Sequence, residues 1–113
     1  MKFTLLIAIA LTLVSSAGWT QAVNDYPTNA RAEYVFTCMA TNGENRDLLD
    51  RCSCAIDQIA SVLPYDDYVS AETVLRMRQT TGERASMFKG MPQMTETVAK
   101  LRRAEAEAEI LCF

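Results

Sequence analysis

The sequence predicts an all-α fold: a small disulfide-stapled bundle of about four helices behind an N-terminal signal peptide. Three observations carry this. Apolar residues recur three and four positions apart in several segments, whereas no run alternates with period two for long enough to make a strand. All four cysteines lie downstream of an apolar leader, an even number suited to two disulfides. Half of the 113 residues are apolar and the net charge is only −3, the composition of a globular chain. The length supports one small domain.

The leader comes first. Lys2 precedes an apolar run over residues 3–14, broken only by Thr4 and Thr12. The run is too short to span a bilayer as a helix, and small-x-Ala sequences ending at Ala17 and Ala22 offer cleavage sites. Cleavage after Ala22 divides the chain into a signal peptide, 1–22, and a single helical domain, 23–113. No later apolar run approaches membrane length, so the mature chain is expected to be periplasmic or secreted without inserting in a membrane. It retains ten basic and fourteen acidic side chains, a net charge of −4. The basic residues are interspersed with acids and form no stripe, which argues against nucleic acid as a partner.

Residues 23–27 read as a short polar lead. A first helix fits 29–41, with Ala30, Tyr34 and Cys38 at i, i+4, i+8 and Val35 and Met39 alongside. Asn42 and Gly43 end it, since glycine tolerates the positive φ that follows many helices. Asn45 can cap a second helix reaching Leu63, where Leu48, Leu49, Cys52, Ala55, Ile56, Ile59, Ala60 and Leu63 form one apolar face. Pro64 stops it. Asp66 and Asp67 suit the start of a third helix, favourably placed against its dipole, which runs towards Gln79 and finishes near Gly82. Residues 83–93 are less regular. A last helix fits 94–111, with Met94, Val98, Leu101, Ala104, Ala108 and Leu111 on or near one face and Cys112 falling on that stripe. Glu96 with Lys100 and Arg103 with Glu107 are expected to pair along the solvated side.

The helical phases bear on the cysteines. Residues two apart on a helix point about 200° from each other, so Cys52 and Cys54 serve different faces. In an antiparallel hairpin turning near Glu44, Cys38 and Cys52 lie at comparable distances from the bend and both face inward. This favours Cys38 with Cys52 and Cys54 with Cys112. The swapped pairing, Cys38 with Cys54 and Cys52 with Cys112, needs only a modest rotation and stays open. A Cys52–Cys54 bridge is disfavoured because a regular helix aims the two sulfurs apart.

The composition excludes several chemistries. There is no histidine, hence no Ser-His or Cys-His pair and no imidazole metal ligand. No Gly-rich phosphate loop, nucleophile elbow or distinct acid–base pair stands out, so the chain reads as non-catalytic and without a cofactor. The expected function is protein–protein binding to another exported protein, in an accessory, chaperone-like or inhibitor/immunity-type role. Aromatic and methionine side chains in the weakly periodic segments are the candidate contacts: Tyr65, Tyr68, Met87, Phe88, Met91 and Phe113. The alternative is a soft-metal or thiol–disulfide redox carrier. It would use the thioethers of Met87, Met91 and Met94 for Cu(I), or Cys52 and Cys54 as a redox pair.

The segments Glu33-Tyr34-Val35-Phe36-Thr37-Cys38-Met39 and Cys52-Ser53-Cys54-Ala55-Ile56-Asp57 are the most distinctive stretches. In general character the chain resembles the small, helical, disulfide-bonded proteins of the bacterial periplasm, which include acid-stress chaperones, immunity proteins and accessory subunits of exported oxidoreductases. The resemblance is one of class and implies no residue roles.

Overall fold

The structure is a computed structural model and describes residues 24–79 and 91–113. The leader, with its cleavage sites, lies outside the described residues, as do Met87 and Phe88. Four helices account for most of the described chain: α1 Thr28–Asn42, α2 Arg46–Val62, α3 Tyr65–Gln79 and α4 Pro92–Cys112. The fold is therefore all-α, and it carries two disulfides.

Local chemistry sets the helix ends. Gly43 follows α1 with φ +131°, a conformation open to glycine because it has no Cβ, and its N–H donates to Met39 O at 2.8 Å. The Asn45 Oδ1 accepts from Leu48 N at 2.9 Å, satisfying one of the orphan donors at the start of α2. Leu63 and Pro64 form a sharp corner into α3. Helix α4 starts two residues earlier than the apolar pattern suggests. Pro92 occupies its first turn, where its lack of an N–H costs no helix hydrogen bond.

Helix α2 packs against both α1 and α4, and α3 packs against α4. The order of contact is thus α1–α2–α4–α3, which leaves α1 and α3 as the two ends of an open arc. The core lies where α2, α3 and α4 converge: Ile56 and Ile59 from α2, Ala71 from α3, and Leu101, Ala104 and Ala108 from α4. Ile56, Ile59 and Leu101 are fully buried, each contributing about 1.5–3 kcal/mol relative to exposure. Ala104 and Ala108, one turn apart, let α2 approach α4 closely.

Three sequence expectations need correction. Residues 23–27 are more than a polar lead, because Tyr26 is 5% exposed and joins the core. Its hydroxyl donates to Leu63 O at 2.8 Å, and Asp25 Oδ2 accepts from Tyr65 N at 3.0 Å, so this segment stitches the α2–α3 corner from outside. Leu49 and Leu111, assigned to apolar faces, are 36% and 66% exposed, and Cys112 takes the buried position at the end of α4. The expected Glu96–Lys100 and Arg103–Glu107 pairs do not form among the described residues. Helix α4 instead pairs Arg102 with Glu105 at 2.8 Å.

Both disulfides start from one turn of α2. Cys52 joins Cys38 of α1 and Cys54 joins Cys112 of α4, with Cα–Cα distances of 5.9 and 5.8 Å. The opposed directions of residues two apart on a helix thus serve two neighbours at once. Beside the second bridge, the Arg51 guanidinium donates to Cys112 O at 3.5 Å and Phe113 O at 3.3 Å, placing a cation at the negative end of the α4 dipole.

Candidate functional site

The open side of the arc forms the principal concavity, a groove of about 910 Å³ between α1 and α3 with α4 at its base. Helical periodicity builds each wall. On α1, Ala30, Glu33, Tyr34, Thr37, Cys38, Thr41 and Asn42 recur three and four apart along one stripe. On α3 the facing stripe includes Tyr65, Tyr68, Glu72, Arg76 and Gln79, and Arg102 and Glu105 enter from α4. The stripe predicted as the inward face of α1 is only half-buried, because α3 stands off and leaves it open.

At the rim, Arg76 of α3 reaches Glu33 of α1 at 3.4 Å, and both side chains are largely exposed. Deeper in the groove, Tyr34, Tyr68 and Glu72 are half-buried. Burial is the main reason that both phenols are held above the usual tyrosine range, with the carboxylates of Glu72 and Glu105 adding to it. Both tyrosines are therefore neutral under physiological conditions. Burial also raises the Glu72 carboxyl above its ordinary value of 4.5; Glu105 and Glu33 push the same way, while Arg76 and Arg102 oppose. Arg76 is paired with Glu33 and Arg102 with Glu105, whereas Glu72 has no hydrogen bond or ion pair among the described residues. The Tyr34 and Tyr68 hydroxyls likewise have no hydrogen-bond partner among those residues.

Tyr65 and Tyr68 stand apart from the other predicted contact residues. Their rings lie 5.1 and 5.0 Å from that of Tyr26, so one side of the pair rests on the core while the other lines the groove. They belong to the first turn of α3, in keeping with a helix that starts at Asp66 and Asp67, and both are half-buried instead of lying fully at the surface. Met91 is 41% exposed just before α4 and Phe113 is 51% exposed after it, and neither lines the groove. Of the three methionines considered for copper, Met94 lies in the first turn of α4 and Met87 falls outside the described residues. Among the described residues no three histidine, cysteine or acidic side chains are grouped to hold a metal. The Cys52–Cys54 redox pair is not formed, since each of the two is bonded to another cysteine.

The sequence reading missed Tyr34 and Glu72. Tyr34 was assigned to packing by its phase with Cys38. Glu72 carries no mark of its own in the sequence, and only the stripe Tyr65-Tyr68-Glu72-Arg76 signals that it shares a face with aromatics. Comparison with protein-family models, curated proteins and solved structures returns no match to the chain.

Proposed function

We propose that this is an exported, non-catalytic helical protein that binds another exported protein, in an accessory, chaperone-like or inhibitor/immunity-type role. The observation that carries the reading is the α1–α3 groove: a concavity whose α1 wall and α4 base are each bonded to α2 by a disulfide, with hydrogen-bonding groups on Tyr34, Tyr68 and Glu72 that no described residue satisfies. These polar atoms still reach solvent, so they are free to exchange water for hydrogen bonds to a partner that enters the groove. Two disulfides fit an oxidising compartment, and no helix among the described residues is long and apolar enough to cross a membrane. Residues 1–22 are the segment that would direct export, to the periplasm or outside the cell.

The test is site-specific photo-crosslinking in the native host compartment. A crosslinker at Thr37 or Thr73, on the two groove walls, is expected to yield one defined protein adduct that is absent when the crosslinker sits at the exposed Asp50 of α2. Equal labelling from all three positions, or none from the walls, would refute the assignment of binding to this groove.

A further inference from the structure

Resting on the binding reading above, we infer that the groove receives a basic side chain of the partner, best an arginine, seated on the Glu72 carboxylate between the rings of Tyr34 and Tyr68. The argument is one of charge complementarity. Among the described residues five ionic side chains line the groove: Glu33 and Glu105 are matched by Arg76 and Arg102, and Glu72 adds a negative charge outside those two pairs. The Glu72 side chain is half-buried, so the medium around its carboxylate is less polar than water and a cation brought to it is held more strongly than at an open surface. Tyr34 and Tyr68 are near enough to Glu72 for its charge to raise both of their pKa values. Two neutral aromatic rings that share a groove with a carboxylate suit a guanidinium, which can donate two parallel hydrogen bonds to the acid while its plane stacks on a ring. An acidic segment would add negative charge to a groove in which acids already outnumber bases among the described residues, and a purely apolar one would leave the carboxylate buried and unpaired.

The groups facing Glu72 also set the pH response. They are Glu33 and Tyr34 from α1, Tyr68 and Arg76 from α3, and Arg102 and Glu105 from α4. Among them Glu72 is the carboxyl held above its ordinary value, so affinity for a cation falls as acidification protonates it.

The experiment titrates the oxidised full-length mature protein with the blocked tripeptide Leu-Arg-Leu and its counterpart carrying citrulline, the uncharged isostere of arginine, monitored by backbone-amide NMR. The arginine peptide is expected to shift amides of residues 33–38 and 68–76 and to bind about tenfold more tightly than the citrulline peptide. Glu72→Gln should abolish that difference while leaving citrulline binding unchanged, and its folding is checked by circular dichroism. Tyr34→Leu, which keeps the carboxylate and removes one ring, should weaken the arginine peptide alone. Equal affinity for the two peptides, shifts that map outside the groove, or self-association that fills the groove with a second copy would each overturn the inference. If wall crosslinking still captures a defined partner while the peptides do not differ, the cation site fails and the binding reading stands. Loss of both removes both.

Discussion

Helices α1 and α4 flank α2 and are each bonded to it by one disulfide, yet they are held in different ways. Helix α4 buries Val98, Leu101, Ala104, Ala108 and Cys112, whereas α1 has no buried residue. Its apolar stripe is half covered by α2 and half open to the groove. The bridge of α4 therefore reinforces packing that already exists. The bridge of α1 supplements a lighter packing, in which Tyr34 and Val35 touch the core only half-buried. The lesson is that a disulfide's local importance depends on how little else secures its element, and that a groove wall is affordable in a small domain when it is covalently pinned.

Breaking the two bridges separately tests this contrast. Replacing Cys54 and Cys112 together by alanine removes the constraint of sequence separation 58 and should destabilise the whole domain by about 4 kcal/mol, seen as a fall in the denaturant midpoint with one cooperative transition. Replacing Cys38 and Cys52 by alanine, at separation 14, should cost less globally, about 3 kcal/mol. Its signature is local: hydrogen exchange in α1 should accelerate while amides of α2 and α4 beside Ile59 and Leu101 stay protected. Uniform acceleration through all helices would show that α1 is integral to the core after all.

A smaller effect is expected where the chain before α1 meets the α2–α3 corner. Tyr26→Phe keeps the ring against Tyr65 and Tyr68 and removes the hydroxyl bonded to Leu63 O, for an expected loss of about 1 kcal/mol by chemical denaturation. The smallest effect has the opposite sign. Glu72 has its folded pKa raised above the ordinary 4.5 by burial, so folding binds a proton more readily than unfolding does. Stability contributed by the protonated acid is present below about pH 4.5 and is lost as pH rises through the folded value. Glu72→Gln should accordingly raise the melting temperature slightly at neutral pH, with no gain below pH 4. A lower melting temperature at neutral pH would mean that the carboxylate is satisfied within the domain and does not await a cation.

Most of the fold was legible in the sequence because it depends on local signals: the 3.6-residue apolar period of α2 and α4, the Asn45 cap, Gly43 and Pro64. The cysteine phases favoured the observed bridges for the same reason. What escaped was set by distant pieces of chain. Tyr26 is a single aromatic in a polar segment, without a period to mark it, and its burial depends on the corner 37 residues away. The groove was hidden because periodicity reports that a helix has an apolar face and is silent on whether a neighbour covers it. Tyr34 and Cys38 carry the same signal as Leu101 and Ala104, and only the stand-off of α3 from α1 separates their fates.

The placement of both bridges on one turn of α2 has a topological consequence. The two covalent rings, residues 38–52 and 54–112, share no member and are joined through Ser53 alone. Neither ring crosses the other, so either can close first without trapping the chain. During synthesis from the N-terminus the smaller ring can close early, while Cys54 must wait for a residue 58 positions further on. While this stretch is still unfolded the Cys54 thiolate sits two residues from a finished disulfide, where attack on Cys38 Sγ would form the swapped Cys38–Cys54 bond and release Cys52 as the thiolate. Once α2 is helical, however, residues two apart point about 200° from each other, so Cys54 is aimed away from Cys52 and from the early bond. Fidelity of pairing is then a race between thiol exchange and helix formation in α2.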